Sequence, residues 1–585
     1  MADITHLING QNLGVPRDWQ SLELTIDWLN RESDESGNET GAINVSDLSF
    51  TGRANAYLQR RIFNGLEGGV GIFEGEPYKI LVGDPQNPKF TFDGYLDFTE
   101  EATILGGEEI TCSLKRRKGA DWLNDTADTF SFASLYVDGI ITDSDFVRVP
   151  YVINYIPDGL QIVMLSISIY MMTKELIENV QALAESIADL VDAATPVVGV
   201  GVGFGAVAVT AWDLGNFILA TLKTIARIAY IIAITVAIVN LIDAFFQQLL
   251  PARRFHLGMT FRKMFEKACE KLELTFQSSI QDLDLVYIPR KDRRGGERGE
   301  RGYPVNSGPI YGFGDYIRVM KEVFNADYRI NNGVFMFERR DAFESNSTYK
   351  PKNFFNNQER KLQQFKLNTD EMVANYNIFF ALDAQDQNTL DNQEGRIFQA
   401  ITEPVTKNNA DLVNVKGLAQ IDIPFSLGVD KKGLTTVEEI FKGLASVVDG
   451  LTGIFGGGTN YSARINNRIG SLLLSSHFLT FGKVVAMNGS KLAPNQRQVV
   501  NARKFWDQYH SINSAVENQF RIFENQPVPM TFEEFCILLE NNRAQDEKGN
   551  QYIIERVSYL PYSGRANINY RVKQKYTNNL RVKIV

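Results

Sequence analysis

The stretch PVVGVGVGFGAVAVTAW (196–212) and its continuation LGNFILATLKTIARIAYIIAITVAIVNLIDAFFQQLL (214–250) are far more apolar than the rest of the chain. Only four residues between the flanking prolines are charged, whereas 22% of the whole chain is charged. These four are Asp213, Lys223, Arg227 and Asp243. Because apolar surface is costly to expose to water, the segment predicts contact with lipid, with a hydrophobic partner or with the interior of an oligomer.

Two shorter segments precede this stretch. LQIVMLSISIYMM (160–172) is apolar but too short to cross a bilayer of about 30 Å as a straight helix. Residues 175–191 place apolar side chains at helical spacing opposite four acidic ones, which predicts an amphipathic helix. Residues 214–250 would form a helix of roughly 55 Å at about 1.5 Å per residue. The sequence therefore predicts a long apolar α-helical insertion over residues 151–255.

The glycines of this block do not indicate a dinucleotide site. Such a site needs a preceding strand, a following amphipathic helix and an acid about 20 residues later, and none is evident. Small residues four apart instead allow close helix packing in apolar surroundings, and the composition also resembles a fusion peptide. The residues predicted to contact a membrane or a partner are Gly199, Gly201, Gly203, Gly205, Trp212, Ile231, Ile234 and Ile238.

Membrane insertion and burial within an assembly are equally compatible with the block. Lys223 and Arg227 interrupt its longest apolar run. Each would cost a few kcal/mol at the centre of a bilayer. A hairpin shielded inside an oligomer avoids this cost.

Composition limits the class of the whole protein. A chain of 585 residues has room for several domains. A net charge of −10 argues against sequence-independent binding of nucleic acid, so DNA is expected only in passage. The N-terminus has neither a basic region nor an apolar one, and no secretory signal is expected.

No enzymatic signature is evident. The four histidines lie far apart and lack metal-binding spacing, and the three cysteines form neither a disulfide framework nor a metal-type pair. No nucleophile elbow and no phosphate loop is present. We therefore expect no catalytic activity, no cofactor and no metal.

Residues 1–150 predict an N-terminal β-barrel domain. Apolar and polar residues alternate through LELTIDW (22–28), as in a half-buried strand. The segments YKILV (78–82), FTFDGYLDF (90–98) and EITCSL (109–114) follow as strands between turn residues. The basic run KRRK (115–118) is interpreted as a solvated strand end rather than a phosphate-binding patch.

Residues 256–345 predict a small α+β domain. Thr260 is the expected N-cap of a helix with Phe261, Met264 and Phe265 on its apolar side. A second helix leads into YRINNGVFMFERR (328–340), where Asn-Gly is the strongest short signal for a hairpin.

Residues 346–585 predict a second β-barrel and a C-terminal β-rich domain. Thr531 and Glu534 form a capping box at the start of a helix. The last strands include QYIIERV (551–557) and ANINYRV (566–572), whose alternation predicts one buried face. The expected fold class is thus multidomain α+β, mainly antiparallel β-barrels with a small α/β domain and the apolar helical insertion.

Three segments give the chain a resemblance to the central hub proteins of phage tails and baseplates, which are related to contractile injection machines. They are FTFDGYLDF (90–98), MTFRKMFEKACEKLELTF (259–276) and DYIRVMKEVFNADYRINNGVFMFER (315–339). The resemblance implies tail tube-like barrels, a homo-oligomer of sister subunits such as a trimer, and contacts with other tail or baseplate proteins and the tape-measure protein. The long apolar insertion departs from the usual hub pattern.

The expected function is that of a structural virion protein in the phage tail. Its barrels would form the conduit at the tail tip, and its apolar helices would be released to penetrate the host membrane during DNA ejection. The alternative is a pore-forming or membrane-inserting toxin-like protein. An integral membrane protein of the cell fits less well, because few flanking charges set a topology.

Overall fold

The computed structural model describes most of residues 4–153, 254–345 and 365–585. Within these parts the longer gaps in the description are 29–42, 64–72, 292–302, 304–309, 387–392, 406–414, 430–438, 451–459, 546–550 and 574–579. The predicted insertion lies outside the described residues except at its two ends, 151–153 and 254–255, which belong to strands.

Strands form most of the regular structure. Those of the first part are β1 (Ile4–Ile8), β2 (Leu24–Asp27), β3 (Ile43–Val45), β4 (Leu48–Thr51), β5 (Glu76–Asp84), β6 (Asn87–Asp97), β7 (Thr103–Leu105), β8 (Glu109–Arg116) and β9 (Val147–Ile153). Those of the middle part are β10 (Arg254–Thr260), β11 (Thr275–Gln277), β12 (Val286–Ile288), β13 (Ala326–Asn331) and β14 (Val334–Arg339). Those of the last part are β15 (Lys366–Leu367), β16 (Asn375–Ala381), β17 (Ile397–Pro404), β18 (Leu418–Leu427), β19 (Leu472–Leu474), β20 (Lys483–Val485), β21 (Met487–Asn488), β22 (Lys491–Leu492), β23 (Phe520–Pro529), β24 (Arg543–Gln545), β25 (Gln551–Leu560), β26 (Arg565–Lys573) and β27 (Leu580–Ile584).

Helices are shorter and lie between the strands. The α-helices are α1 (Gly52–Phe63), α2 (Ala120–Ala127), α3 (Phe132–Val137), α4 (Phe261–Lys271), α5 (Phe313–Val323), α6 (Ala342–Ser345), α7 (Gln393–Arg396), α8 (Tyr461–Asn466), α9 (Gln496–Val499), α10 (Ala502–Phe505) and α11 (Phe532–Glu540). A π-helix spans Trp506–His510, and short 3-10 turns span Asp143–Asp145, Gln281–Asp284 and Ser511–Asn513. In the part of the chain that the structure describes, no helix combines the length and the apolar character needed to cross a membrane.

The fold is mixed α+β with mostly antiparallel strands, as the sequence predicts in outline. A nine-stranded sheet has the order β19-β9-β10-β12-β20-β18-β16-β17-β27. A six-stranded sheet contains β1-β5-β6-β8-β4 with β7, and a seven-stranded sheet contains β15-β23-β26-β25-β2-β3 with β24. Several pairs are parallel, among them β16 with β18 and β9 with β19, which alternation along single strands does not predict.

Strands from the two ends of the sequence pair with each other. β2 is antiparallel to β25, with Ile26 opposite Val557, and the backbone N–H of Trp28 donates to the carbonyl of Glu555 at 2.7 Å. One apolar core joins the six-stranded and seven-stranded sheets and includes Phe50, Tyr78 and Tyr559. The boundaries at 150, 255 and 345 stay predictions, but core contacts connect the first and last of the segments that they delimit.

A second core surrounds two helices of the middle part. Helices α4 and α5 pack against the nine-stranded sheet and against the small sheet β11-β14-β13. Phe261 and Phe265 of α4 are fully buried there among other aromatic rings. These contacts fix β10, which leads directly into α4 through the N-cap Thr260.

Local signals in the sequence are confirmed. The Thr260 hydroxyl accepts from the backbone N–H of Lys263 at 3.1 Å, and Thr531 forms the capping box with Glu534. Asn332 and Gly333 both have positive φ angles, 51° and 77°, as the turn of a tight hairpin requires.

The interpretation of KRRK as a solvated strand end is wrong for its first two residues. Lys115 forms an ion pair with Asp97 and is only 12% exposed. An Arg116 guanidinium nitrogen donates to the carbonyl of Leu539 at 3.3 Å. The reason is that β8 lies inside its sheet with α2 and α11 packed nearby, so these cations meet protein groups. Lys118 lies outside the described residues.

The pairing of β2 with β25 predicts that two cysteines introduced at opposed positions of these strands will form a disulfide. The Thr25 and Ser558 hydroxyl oxygens are 3.5 Å apart on directly opposed residues. Thr25→Cys with Ser558→Cys should therefore oxidise to a disulfide, visible as fragments that stay linked after proteolysis until a reductant is added.

The control pair is Thr25→Cys with Asn567→Cys. Asn567 lies opposite Ser558 on the next strand, about 10 Å from Thr25 at roughly 4.8 Å per strand, which is too far for a disulfide. Equal linkage of both pairs, or linkage of neither, would refute the register.

Candidate functional site at the base of the insertion

The strands on either side of residues 154–253 are neighbours in one sheet. β9 and β10 are antiparallel neighbours, and Tyr151 lies opposite Arg254. Opposed Cα atoms in such a ladder are about 5 Å apart. In the sequence, the whole apolar block is therefore inserted between two paired strands. β19 and β12 flank this pair in the nine-stranded sheet.

An apolar layer covers this hairpin on the face away from the aromatic core. Leu472 of β19 lies opposite Tyr151, and Val149 is fully buried. On the other side of the hairpin, β10 approaches β12 so closely that a Cβ on Gly258 would lie 2.6 Å from the carbonyl oxygen of Tyr287. The layer consists of Val149, Tyr151, Val286, Ile288, Leu472, Leu474, Leu479, Val485 and Leu492. It anchors β9, and β10 lies between β9 and β12 in the sheet.

Three polar side chains meet where the insertion begins and ends. The Tyr151 hydroxyl lies 2.8 Å from Nδ1 of His477, and the Arg254 guanidinium contacts Nε2 of the same ring. The same guanidinium nitrogen also lies 3.2 Å from Nδ1. The His477 ring thus connects β9, through Tyr151, with β10, through Arg254.

His256 lies beneath this contact. Its ring is stacked on Tyr151, with centroids 4.1 Å apart and planes 13° from parallel. Burial lowers the pKa of His256 to about 3, and the charges of Lys291, His477 and Lys483 act in the same direction. Within the described residues its Nε2 atom has no hydrogen-bond partner. The ring is therefore neutral at physiological pH.

A fully buried ion cluster lies two strands further along the sheet. Lys483 Nζ is 3.2 Å from Asp383 Oδ2 and 3.0 Å from Asp386 Oδ2, and all three side chains are inaccessible to solvent. The same ammonium lies 3.3 Å from the Ser426 hydroxyl. Asp383 Oδ1 also accepts from the backbone N–H of Gln385 at 3.1 Å. Two carboxylates around one cation pin loop 383–386 to β20.

The predicted contact residues are not tested by the structure. Gly199, Gly201, Gly203, Gly205, Trp212, Ile231, Ile234 and Ile238 all lie outside the described residues, between β9 and β10. The contacts of His477 with Tyr151 and Arg254 and the buried ion cluster were not predicted from the sequence. The signals for the cluster were a lone lysine in the apolar strand GKVV (482–485) and two aspartates three apart in DAQD (383–386).

The other histidines and the cysteines occupy separate places. Burial lowers the pKa of His6 and of His510 to about 4. The three cysteines are buried, and burial raises the pKa of the Cys269 thiol. Among the residues that the structure describes, no group of three or more histidine, cysteine, aspartate or glutamate side chains is placed to hold a metal ion.

No protein-family model matches the chain, and no curated protein is significantly similar to it. Function is therefore inferred from the composition of the chain and from the geometry of the described residues. In this geometry the two strands that flank the apolar block are paired neighbours within one sheet.

Removing the cation of the buried cluster should destabilise this part of the fold. Lys483→Met leaves two carboxylates buried without a counter-ion, which should lower the free energy of unfolding by about 3–5 kcal/mol. Urea unfolding followed by fluorescence measures this. The control is Lys366→Met, which breaks the exposed ion pair with Glu524 and should cost less than about 1 kcal/mol. Equal effects of the two substitutions would contradict the assigned role.

Stability should fall in acid partly through His256. Its folded pKa of about 3 lies below the ordinary 6.5, so the unfolded chain binds the proton first. The contribution is complete above about pH 6.5 and is lost progressively as the pH falls towards 3, by about 2 kcal/mol at roughly pH 5.

His256→Phe keeps an aromatic ring on Tyr151 and removes the titration. Its unfolding free energy should therefore depend less steeply on pH than that of the unsubstituted protein between about pH 6.5 and 5. His6 and His510 remain in both proteins, so only the difference between the two profiles counts. Identical slopes would show that His256 is not held neutral by its surroundings.

Proposed function

We propose that the chain is a structural virion protein, an oligomeric hub at the tip or baseplate of a phage tail, and that residues 154–253 enter the host membrane during DNA ejection. The observation that carries the proposal is the attachment of a strongly apolar block to two paired strands, with Tyr151 opposite Arg254. The block is thus joined to the scaffold at two neighbouring positions of one sheet.

The energetic cost of exposing the block supports storage in an assembly. A few thousand Å² of apolar surface at about 25 cal/mol per Å² amounts to tens of kcal/mol. Sister subunits and a tape-measure protein are the proposed covers before release, and lipid is the proposed cover afterwards. A phage tail provides such covers and a trigger in one particle.

The strand arrangement of the sheets supports the hub role. They are mostly antiparallel, and in the proposal they form tail tube-like barrels that continue the tail tube in a ring of sister subunits, such as a trimer. A net charge of −10 suits a conduit through which DNA passes without adhering. A lumen lined by lysine and arginine would argue against this role.

Mass spectrometry of purified particles tests the location. The hub proposal requires the protein at low copy in intact virions, co-purifying with tail or baseplate proteins. Its absence from particles, with the protein instead found as a secreted monomer, would overturn the proposal.

The second candidate is a pore-forming or membrane-inserting protein. The same hairpin geometry favours it, because an appendage held at one point can be delivered to a bilayer without unfolding the scaffold. The two candidates differ in the state of the purified protein: a toxin is a monomer that makes liposomes leak unaided, whereas a hub requires assembly or a trigger.

Replacing residues 154–251 by an Asn-Gly turn should leave the scaffold folded, because β9 and β10 can then form an ordinary two-residue hairpin that keeps Tyr151 opposite Arg254. We expect cooperative thermal unfolding with a midpoint within a few degrees of that of the full chain, and loss of dye leakage from liposomes under the conditions that trigger the full chain.

The matched control replaces the same residues by a Gly/Ser linker of equal length, which keeps the topology and removes only the apolar surface. It should also abolish leakage. Leakage by either variant would show that the block is not the membrane-active part, and loss of cooperative unfolding in both would show that the block belongs to the core.

A further inference from the structure

The six-stranded sheet has a polar face opposite its core. β6 and β8 are antiparallel, and Leu96 lies opposite Leu114 with both side chains in the core. The neighbouring residues point the other way, because side chains alternate along a strand. Tyr95 therefore lies opposite Lys115 on the outer face.

Helix α2 and the segment around Gly75 turn this outer face into a cleft. Its volume is about 540 Å³, which is within the usual range for sites that bind small molecules. Gly75 has a φ of +61°, and a Cβ there would lie 2.7 Å from the Tyr95 ring. Glycine thus allows the backbone at residue 75 to pack directly against the Tyr95 ring.

Three aromatic side chains line the cleft. They are Phe73, Tyr95 and Trp122. Phe73 is 86% exposed, the largest exposed fraction among the large hydrophobic residues described. Trp122 and Tyr95 are half-buried. Flat apolar walls with one ring left in solvent are suited to a ligand that has an apolar face.

The charges in the floor of the cleft neutralise each other. Lys115 Nζ is 3.1 Å from Asp97 Oδ2. Asp97 Oδ1 accepts from the backbone N–H and the hydroxyl of Thr99, at 2.8 and 2.7 Å. Burial alone would raise the pKa of Asp97, but these hydrogen bonds and Lys115 outweigh burial and hold the pKa below its usual value. The pair is thus ionised and satisfied without a ligand.

The threonines that line the cleft have already used their hydroxyl protons. Thr99 donates to Asp97, Thr126 donates to the carbonyl of Trp122 at 2.6 Å, and Thr129 donates to the carbonyl of Thr126 at 2.7 Å. Each hydroxyl oxygen keeps a lone pair that can only accept. A ligand that bonds to them must bring hydroxyl or N–H donors.

We infer that this cleft binds a neutral saccharide, stacked on Trp122, with its hydroxyl groups donating to the threonine oxygens. A phosphate fits worse. Lys115 is already paired, and of the two charged residues left on the described rim, Arg117 would attract phosphate and Glu74 would repel it. The site lies in a different sheet from the insertion, so the inference does not depend on the hub proposal.

The experiment uses the full chain. It is first applied to an array of neutral oligosaccharides built from hexoses, N-acetylhexosamines and deoxyhexoses, and the retained sugar is then titrated by calorimetry. Trp122→Ala should weaken binding about tenfold or more, as truncation of a central aromatic contact does, and Trp122→Phe should recover part of the loss.

Phe73→Ala is the second variant, because truncating so exposed a ring does not disturb the core. It should also weaken binding. The matched control is Tyr311→Ala, since Tyr311 is 48% exposed and lies outside the cleft; it should bind like the unsubstituted chain.

Three results would overturn the inference: retention of no neutral sugar, unchanged binding by both Trp122→Ala and Phe73→Ala, or binding of inorganic phosphate that is lost in Arg117→Ala while sugars do not bind. The thermal unfolding midpoint of each variant separates lost binding from lost folding.

Discussion

The antiparallel pairing of β9 with β10 is the constraint on which the organisation of the molecule depends. Because Tyr151 lies opposite Arg254, the chain can leave the nine-stranded sheet for the apolar block and return without interrupting the ladder. The backbone hydrogen bonds that a central strand needs come from β12 on one side and β19 on the other. A segment whose composition differs so much from the rest can therefore be carried by an otherwise ordinary α+β scaffold.

The buried ion cluster makes most sense as a device for register rather than for stability. A buried ion pair is often no better than apolar residues of similar size. β20, however, has the aromatic core on one face and the apolar layer on the other: Val484 belongs to the first and Val485 to the second. A slip by one residue would exchange the faces and move Lys483 from its two aspartates into the aromatic core. The cluster thus disfavours a shifted register of β20 against its two neighbours, β12 and β18.

Much of the local structure could be predicted from the sequence because the signals are local. Alternation placed β5, β6 and β8, the Asn-Gly pair placed the β13–β14 hairpin, and Thr260 and Thr531 marked helix starts. Each signal depends on residues within a few positions of one another, where geometry and hydrogen bonding act directly. The same reasoning identified the apolar block, since its composition alone indicates that it needs a cover.

The candidate site could not be predicted because it depends on which strands become neighbours. Alternation shows which side chains share a face but not which strand lies beside it, so nothing near Ile26 indicates Val557. His477 meets Tyr151 and Lys483 meets Asp383 only after β19, β9 and β20 are placed in one sheet. The interpretation of KRRK was wrong for the same reason. A basic run looks solvated when the residues that will pack over it are unknown. In the folded chain α2 packs beside β8, and Lys115 is paired with Asp97. Long-range packing, not propensity, decides whether a charge in this chain faces water.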